Sequence, residues 1–191
     1  FHMGIIFHFF LVFVTSFLGT LFPSMLSLTT VKISLKESKK KAIYFAAGVS
    51  VVVLVQAYIA IAFSKVLLQN PRYLDTLQII GVVVFTILSI YFFRKAFTSK
   101  KESIEEHKRK VNGFVTGMFF STINMFAIPF YVGITTSLAL MQWYTFEILN
   151  NICFVIGSSA GTFSLMFLYA KLAIKVEKRI LWLANKIDLF L

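Results

Sequence analysis

A chain of 191 residues has the length of a single domain, yet 58% of it is apolar and only 14% is charged. A soluble domain of that size cannot hide so much apolar surface, so much of it, including many of the 23 phenylalanines, must face lipid. The net charge of +11 comes from short basic stretches between apolar runs, which points to loop topology in a membrane and away from nucleic acid.

The first apolar run covers residues 4–31. Pro23 interrupts it, with Gly19 and Thr20 before and Ser24 after. It lacks a basic flank and a small-residue cleavage site, so it reads as a retained helix and not a signal peptide. A basic loop, 32–41, follows with Lys32, Lys36, Lys39, Lys40 and Lys41. Residues 42–64 form the second run, and 65–75 a short link containing Asn70-Pro71. The third run is 76–93, and the longest charged loop is 94–112. Residues 113–140 form the fourth run, interrupted by Pro129, and 148–170 the fifth. A basic stretch, 171–186, carries a short apolar patch at Ile180 to Ala184.

Each full run is long enough to cross a hydrocarbon core of about 30 Å at about 1.5 Å per residue. The segment Ile187 to Leu191 reads as the start of a sixth span, or else as a short tail helix on the membrane surface. The expected fold is therefore all-α: a polytopic membrane protein with five complete transmembrane helices and the beginning of a sixth, forming one transmembrane domain over 1–191. All Lys and Arg except Lys65 and Arg72 fall in the loops 32–41 and 94–112 and the stretch 171–186. That alternation puts these segments in the cytoplasm and the N-terminus outside, in a bacterial inner membrane.

An internal echo divides the chain. The only two Thr-Thr pairs, Thr29-Thr30 and Thr135-Thr136, each lie six residues after a proline, Pro23 or Pro129. Asp75 and Asp188 each precede an apolar run. A three-helix unit has an odd number of crossings, so its second copy enters the membrane inverted. Residues 1–95 and 111–191 are the expected repeats, the second truncated in its last helix. Interrupted spans at matching positions in two inverted halves mark the substrate site of many secondary transporters.

A proline removes a backbone donor and frees carbonyls in the preceding turn. Around the two helix breaks, Pro23 and Pro129, the candidate substrate contacts are Ser24, Thr29, Thr30, Asn124, Thr135 and Thr136. Hydroxyls, an amide and loose backbone groups suit a small polar solute such as an amino acid. The plainer reading of each Ser or Thr is a bond to its own backbone or a packing role. Gln56, the strongly polar residue in the second run, could line the path or bond a neighbouring helix. Gly113-x3-Gly117 and Gly157-x3-Gly161 read as faces for close helix packing.

No Asp, Glu, Lys or Arg lies deep in the five runs, so no buried proton relay is evident. His2, His8 and His107 are scattered without metal-ligand spacing, and Cys153 is a lone packing residue. Neither a metal nor a cofactor is expected, and no enzymatic signature is present. The alternative to a transporter is a membrane scaffold or helper subunit that binds other membrane proteins through its GxxxG faces; homo-oligomerisation stays open.

The stretch Gly19-Thr20-Leu21-Phe22-Pro23-Ser24-Met25, the run Ser38-Lys39-Lys40-Lys41 and Gly48 together resemble the first-repeat signature of the lysine exporter (LysE/RhtB) family. In that family a Pro-Gly-Pro break precedes a Gly-Arg-Arg-like cytoplasmic turn. Gly117 to Pro129, with Ile123-Asn124-Met125, resembles the family's second break, usually Asn-Pro. Ser24 and Met25 depart from the usual Gly and second Pro, and Met125 from the second-repeat Pro. The resemblance spans nearly the whole chain and implies a six-helix exporter of amino acids or related metabolites, driven by an ion gradient.

Overall fold

The computed structural model describes residues 5–21, 24–70, 112–124 and 126–175, together with the single positions 79, 83, 86, 87, 90 and 94. Six helices are delimited among the described residues: α1 Ile5–Gly19, α2 Met25–Lys36, α3 Lys39–Gln69, α4 Gly113–Ile123, α5 Ala127–Leu140 and α6 Ile148–Lys171. No strand occurs among the described residues. Two helices, α3 and α6, are each long and apolar enough to cross a membrane. The pair α4 and α5, bent by 65°, would make a third if it forms one span. The single helical positions from 79 to 90 fall on the third expected run, and 94 on the first residue after it; the rest of that run lies outside the described residues, as does the expected sixth.

The first run is two helices rather than one, and the polar connection that follows is shorter than its charge implies. Ser24 caps α2, its Oγ accepting from the Ser27 N–H at 3.3 Å. Lys32 and Lys36 belong to α2, and Lys39 to Lys41 to α3. Lysine is a good helix former, so a basic stretch of this kind extends helices instead of ending them. Only Glu37 and Ser38 separate α2 from α3. The Ser38 Oγ accepts from the Lys41 N–H at 3.2 Å, satisfying one orphan donor at the new helix start.

Helix α3 is the spine of the bundle. Ala42, Phe45, Ala46, Val49, Val53, Ala57, Ala60 and Ile61 are buried at three- and four-residue steps and form one stripe. Val51, Val55, Tyr58, Ile59, Phe63 and Val66 stay exposed on the other side. A helix apolar all round with half its face uncovered has the surface of a lipid-facing span. Helices α2, α4, α5 and α6 all pack on α3, whereas α1 packs on α6.

Two close crossings depend on glycine. A Cβ on Gly48 would collide with the Phe114 carbonyl oxygen, and a Cβ on Gly117 with the Phe45 carbonyl oxygen. These two glycines let α3 and α4 meet backbone to backbone. On the far side, a Cβ on Gly157 would stand 3.0 Å from the Phe9 carbonyl oxygen, and one on Gly161 would strike that of Phe13. Both GxxxG pairs are thus packing faces, as small residues within membranes commonly are.

Candidate functional site

Two interruptions frame the site. The first falls between the end of α1 at Gly19 and the Ser24 cap of α2. The second falls between Ile123 and Ala127. Pro129 therefore is not itself the point of interruption. It occupies the third position of α5, where its missing N–H is one of the helix's orphan donors in any case, and its ring excludes helical continuation through residue 125. The interruption lies one turn upstream, around Asn124. The Asn124 N–H donates to the carbonyls of Phe120 and Ser121 at 3.2 and 3.1 Å, closing α4. Pro23 lies outside the described residues.

A cluster of hydroxyls joins the interrupted helices. The Ser16 Oγ, in the last turn of α1, donates to the Ser158 carbonyl oxygen of α6 at 2.8 Å. It also lies 2.9 Å from the Tyr131 hydroxyl of α5 and 3.1 Å from the Thr162 Oγ1. The Tyr131 and Thr162 oxygens are 3.2 Å apart. All four residues are buried. Ser16 has a single hydrogen and gives it to the carbonyl, so it must accept from Tyr131 or Thr162. The Ser158 Oγ beside them is buried without a partner among the described residues.

The sequence-predicted contacts are distributed as follows. Thr29 and Thr30 each donate to the carbonyl four residues back, Met25 at 2.7 Å and Leu26 at 2.8 Å, and Thr30 also faces the Met166 sulfur at 3.3 Å. Thr135 likewise donates to the Tyr131 carbonyl at 2.7 Å. Thr30 and Thr135 are fully buried. The Thr136 Oγ1 is buried with no partner among the described residues. No hydrogen bond joins the two Thr pairs. Ser24 Oγ lies 3.1 Å from Ser27 Oγ in addition to its capping role. Asn124 stands half-exposed at the second interruption.

Gln56 bonds a neighbouring helix: its Nε2 donates to the Ser121 carbonyl oxygen at 2.9 Å. Its Oε1 is buried and unpaired among the described residues. An unmatched acceptor of this kind costs about 1–3 kcal/mol, so its retention calls for an explanation.

Sequence reasoning missed Tyr131 and Thr162, and read Ser158 only as part of a small-residue face. The available signals were the four-residue spacing of Ser158 and Thr162, which puts both on one helix face, and a tyrosine among phenylalanines just after a proline. It also missed a contact of α1 with the link after α5. The His8 Nε2 meets the Trp143 carbonyl oxygen at 2.6 Å, tying α1 to the link after α5. In that link Gln142 adopts a φ of +59°, and the Trp143 N–H returns to the Leu138 carbonyl at 2.9 Å, the pattern of a Schellman helix end.

Among known protein families, LysE type translocator matches residues 7–185 of this chain. No curated protein and no solved structure matches it.

Proposed function

The chain belongs to the LysE type translocator family, and from that premise we propose that it exports amino acids or related small metabolites by alternating access at a site between its two interrupted helices. The family is one of membrane transporters, so a small solute and a lipid bilayer are the surroundings the chain works in. The observation that carries the proposal is the contact between Ser16, in the last turn before the first interruption, and Tyr131, shortly after the second. Broken helices from two halves meeting at a polar cluster inside an apolar bundle are where such transporters hold their cargo.

The cluster is uncharged, which suits a cargo that brings its own charges and exchanges hydrogen bonds with hydroxyls. Helix α5 begins without a side-chain cap, whereas α2 is closed by Ser24. The positive end of the α5 dipole lies beside Asn124, whose carbonyl takes the Ala127 N–H at 3.4 Å, so a cargo carboxylate would have to displace that contact. Thr136 Oγ1 on α5 and Gln56 Oε1 on α3 are buried acceptors without a partner among the described residues. Ser24, Thr29, Thr30 and Thr135 would have to exchange partners to reach cargo, since each is already bonded.

The two halves are proposed to be inverted repeats, 1–95 and 111–191, each contributing one broken helix. The basic loops support an orientation with the N-terminus outside an inner membrane. Replacement of Asn124 by Leu tests the site: reconstituted flux should fall at least tenfold in protein that remains monodisperse and helical, a loss of about 1.4 kcal/mol. Normal flux in such protein would remove Asn124 from the cargo path.

A further inference from the structure

Each long helix sends one side-chain donor to the interruption in the opposite half. From α3, the Gln56 Nε2 reaches the Ser121 carbonyl oxygen at 2.9 Å. From α6, the Tyr169 hydroxyl reaches the Leu21 carbonyl oxygen at 2.6 Å. Both acceptors are carbonyls that a continuous helix would have paired. Ser121 would have received the N–H of residue 125, and Leu21 that of Met25. The Ser121 carbonyl also takes the Asn124 N–H at 3.1 Å within its own segment, so Gln56 adds a second donor there, whereas Tyr169 is the donor seen on the Leu21 carbonyl among the described residues.

We propose that Gln56 and Tyr169 are the positioning residues of the two hinges, each holding one interruption in its present geometry until transport moves it. This rests on the transport reading above, in which both interruptions open in turn. The two clamps are chemically distinct. Tyr169 is partly exposed, and its phenol has one hydrogen to give. Gln56 is buried, and its amide donates to the hinge while its Oε1 has no donor among the described residues. Fixing Nε2 on a carbonyl fixes which way the amide points, so Oε1 is held as an acceptor. When the second hinge moves, Nε2 loses its acceptor, which an acceptor on the cargo or a water must replace, while Oε1 can take a donor from either. The first clamp carries no such vacancy, so the hinges differ in how strongly solute affects them.

The clamps act across the halves: the first half's long helix holds the second half's break, and the reverse. Movement of one interruption is therefore felt by the other half's long helix, without any charged residue in between.

Backbone amide exchange in lipid nanodiscs, measured on full-length protein carrying Tyr169→Phe or Gln56→Met, tests the assignment. Tyr169→Phe should speed exchange about three- to tenfold in peptides covering 16–27 and leave 120–130 unchanged. Gln56→Met should do the reverse. Faster exchange over the whole bundle would mean that the side chains only stabilise the fold, and unchanged exchange in both peptides would mean that they hold nothing; either result overturns the proposal. Tyr169→Phe loses a single oxygen at a partly exposed position, and it decides the question if Gln56→Met does not fold. In flux assays either variant should change the maximal rate more than the half-saturating solute concentration. The exchange pattern does not need flux, so the clamps stand or fall separately from the export reading.

Discussion

The Ser159 Oγ of α6 donates to the Ser50 carbonyl oxygen of α3 across 2.9 Å. Around that bond the two halves of the chain make the same contacts in exchange. Gly48 of α3 lies against Phe114 of α4, and Gly157 of α6 lies against Phe9 of α1. Immediately after each glycine, the long helix presents a carbonyl to a serine: Val49 to Ser121 at 3.3 Å, and Ser158 to Ser16 at 2.8 Å. Phe9 and Ser16 keep the same spacing as Phe114 and Ser121. Ser50 and Ser159 are then equivalent residues meeting each other, which is what a two-fold relation places on its axis. This pattern supports the inverted repeat proposed above.

The glycine crossings give the first prediction. Gly117→Ala puts a methyl group into the Phe45 backbone, which cannot give way as a flexible side chain would. It should destabilise the bundle by about 1–3 kcal/mol in denaturation from mixed micelles. Gly133 has nothing within 4 Å of a built Cβ. Gly133→Ala should be neutral or stabilise by up to about 1 kcal/mol, through helix propensity alone. Equal effects of the two would deny that α3 and α4 pack as described.

Tyr131→Phe gives the second. It removes the hydroxyl that faces both Ser16 and Thr162 while keeping the ring among Phe130 and Phe154. Hydrogen bonds between membrane helices are worth about 0.6 kcal/mol on average and about 1.7 at most, so the folded protein should survive. Flux should nevertheless fall severalfold, because the cluster lies between the interruptions. A variant with unaltered flux would make the cluster mere packing.

His8→Leu gives the third. It removes the bond from α1 to the Trp143 carbonyl while leaving a side chain of similar volume. Amide exchange should rise in 141–147, where Trp143 and Gln142 turn the chain, and stay unchanged in the α3–α4 crossing. No change in 141–147 would show that the Schellman closure of α5 holds the link by itself.

Several of these features were legible in the residues. The apolar runs, the two interruptions and both GxxxG faces follow from hydropathy, proline and glycine, which act locally. The register of the interruptions did not. A proline tolerates the first helical turn, so Pro129 marks the beginning of α5 and the interruption itself sits at Asn124. The Thr-Thr echo paired Thr29 with Thr135, whereas burial pairs Thr30 with Thr135, one residue away. Thr30 and Thr135 stand equally far beyond Ser16 and Ser121, so the contacts carry one register through both halves. The hydroxyl cluster was hidden for another reason. Ser16, Tyr131, Ser158 and Thr162 come from three helices, and no one of them is unusual in its own segment. Gln56 was visible as a polar residue, but only the packing of α3 on α4 assigns its partner.

The most direct measurement is release from proteoliposomes loaded with a mixture of labelled amino acids, with and without a proton gradient. The export reading predicts selective, gradient-dependent release of one class of amino acid, abolished or strongly reduced by Asn124→Leu. Protein that is reconstituted, folded and oriented both ways, yet releases no amino acid above empty liposomes under either condition, would contradict it.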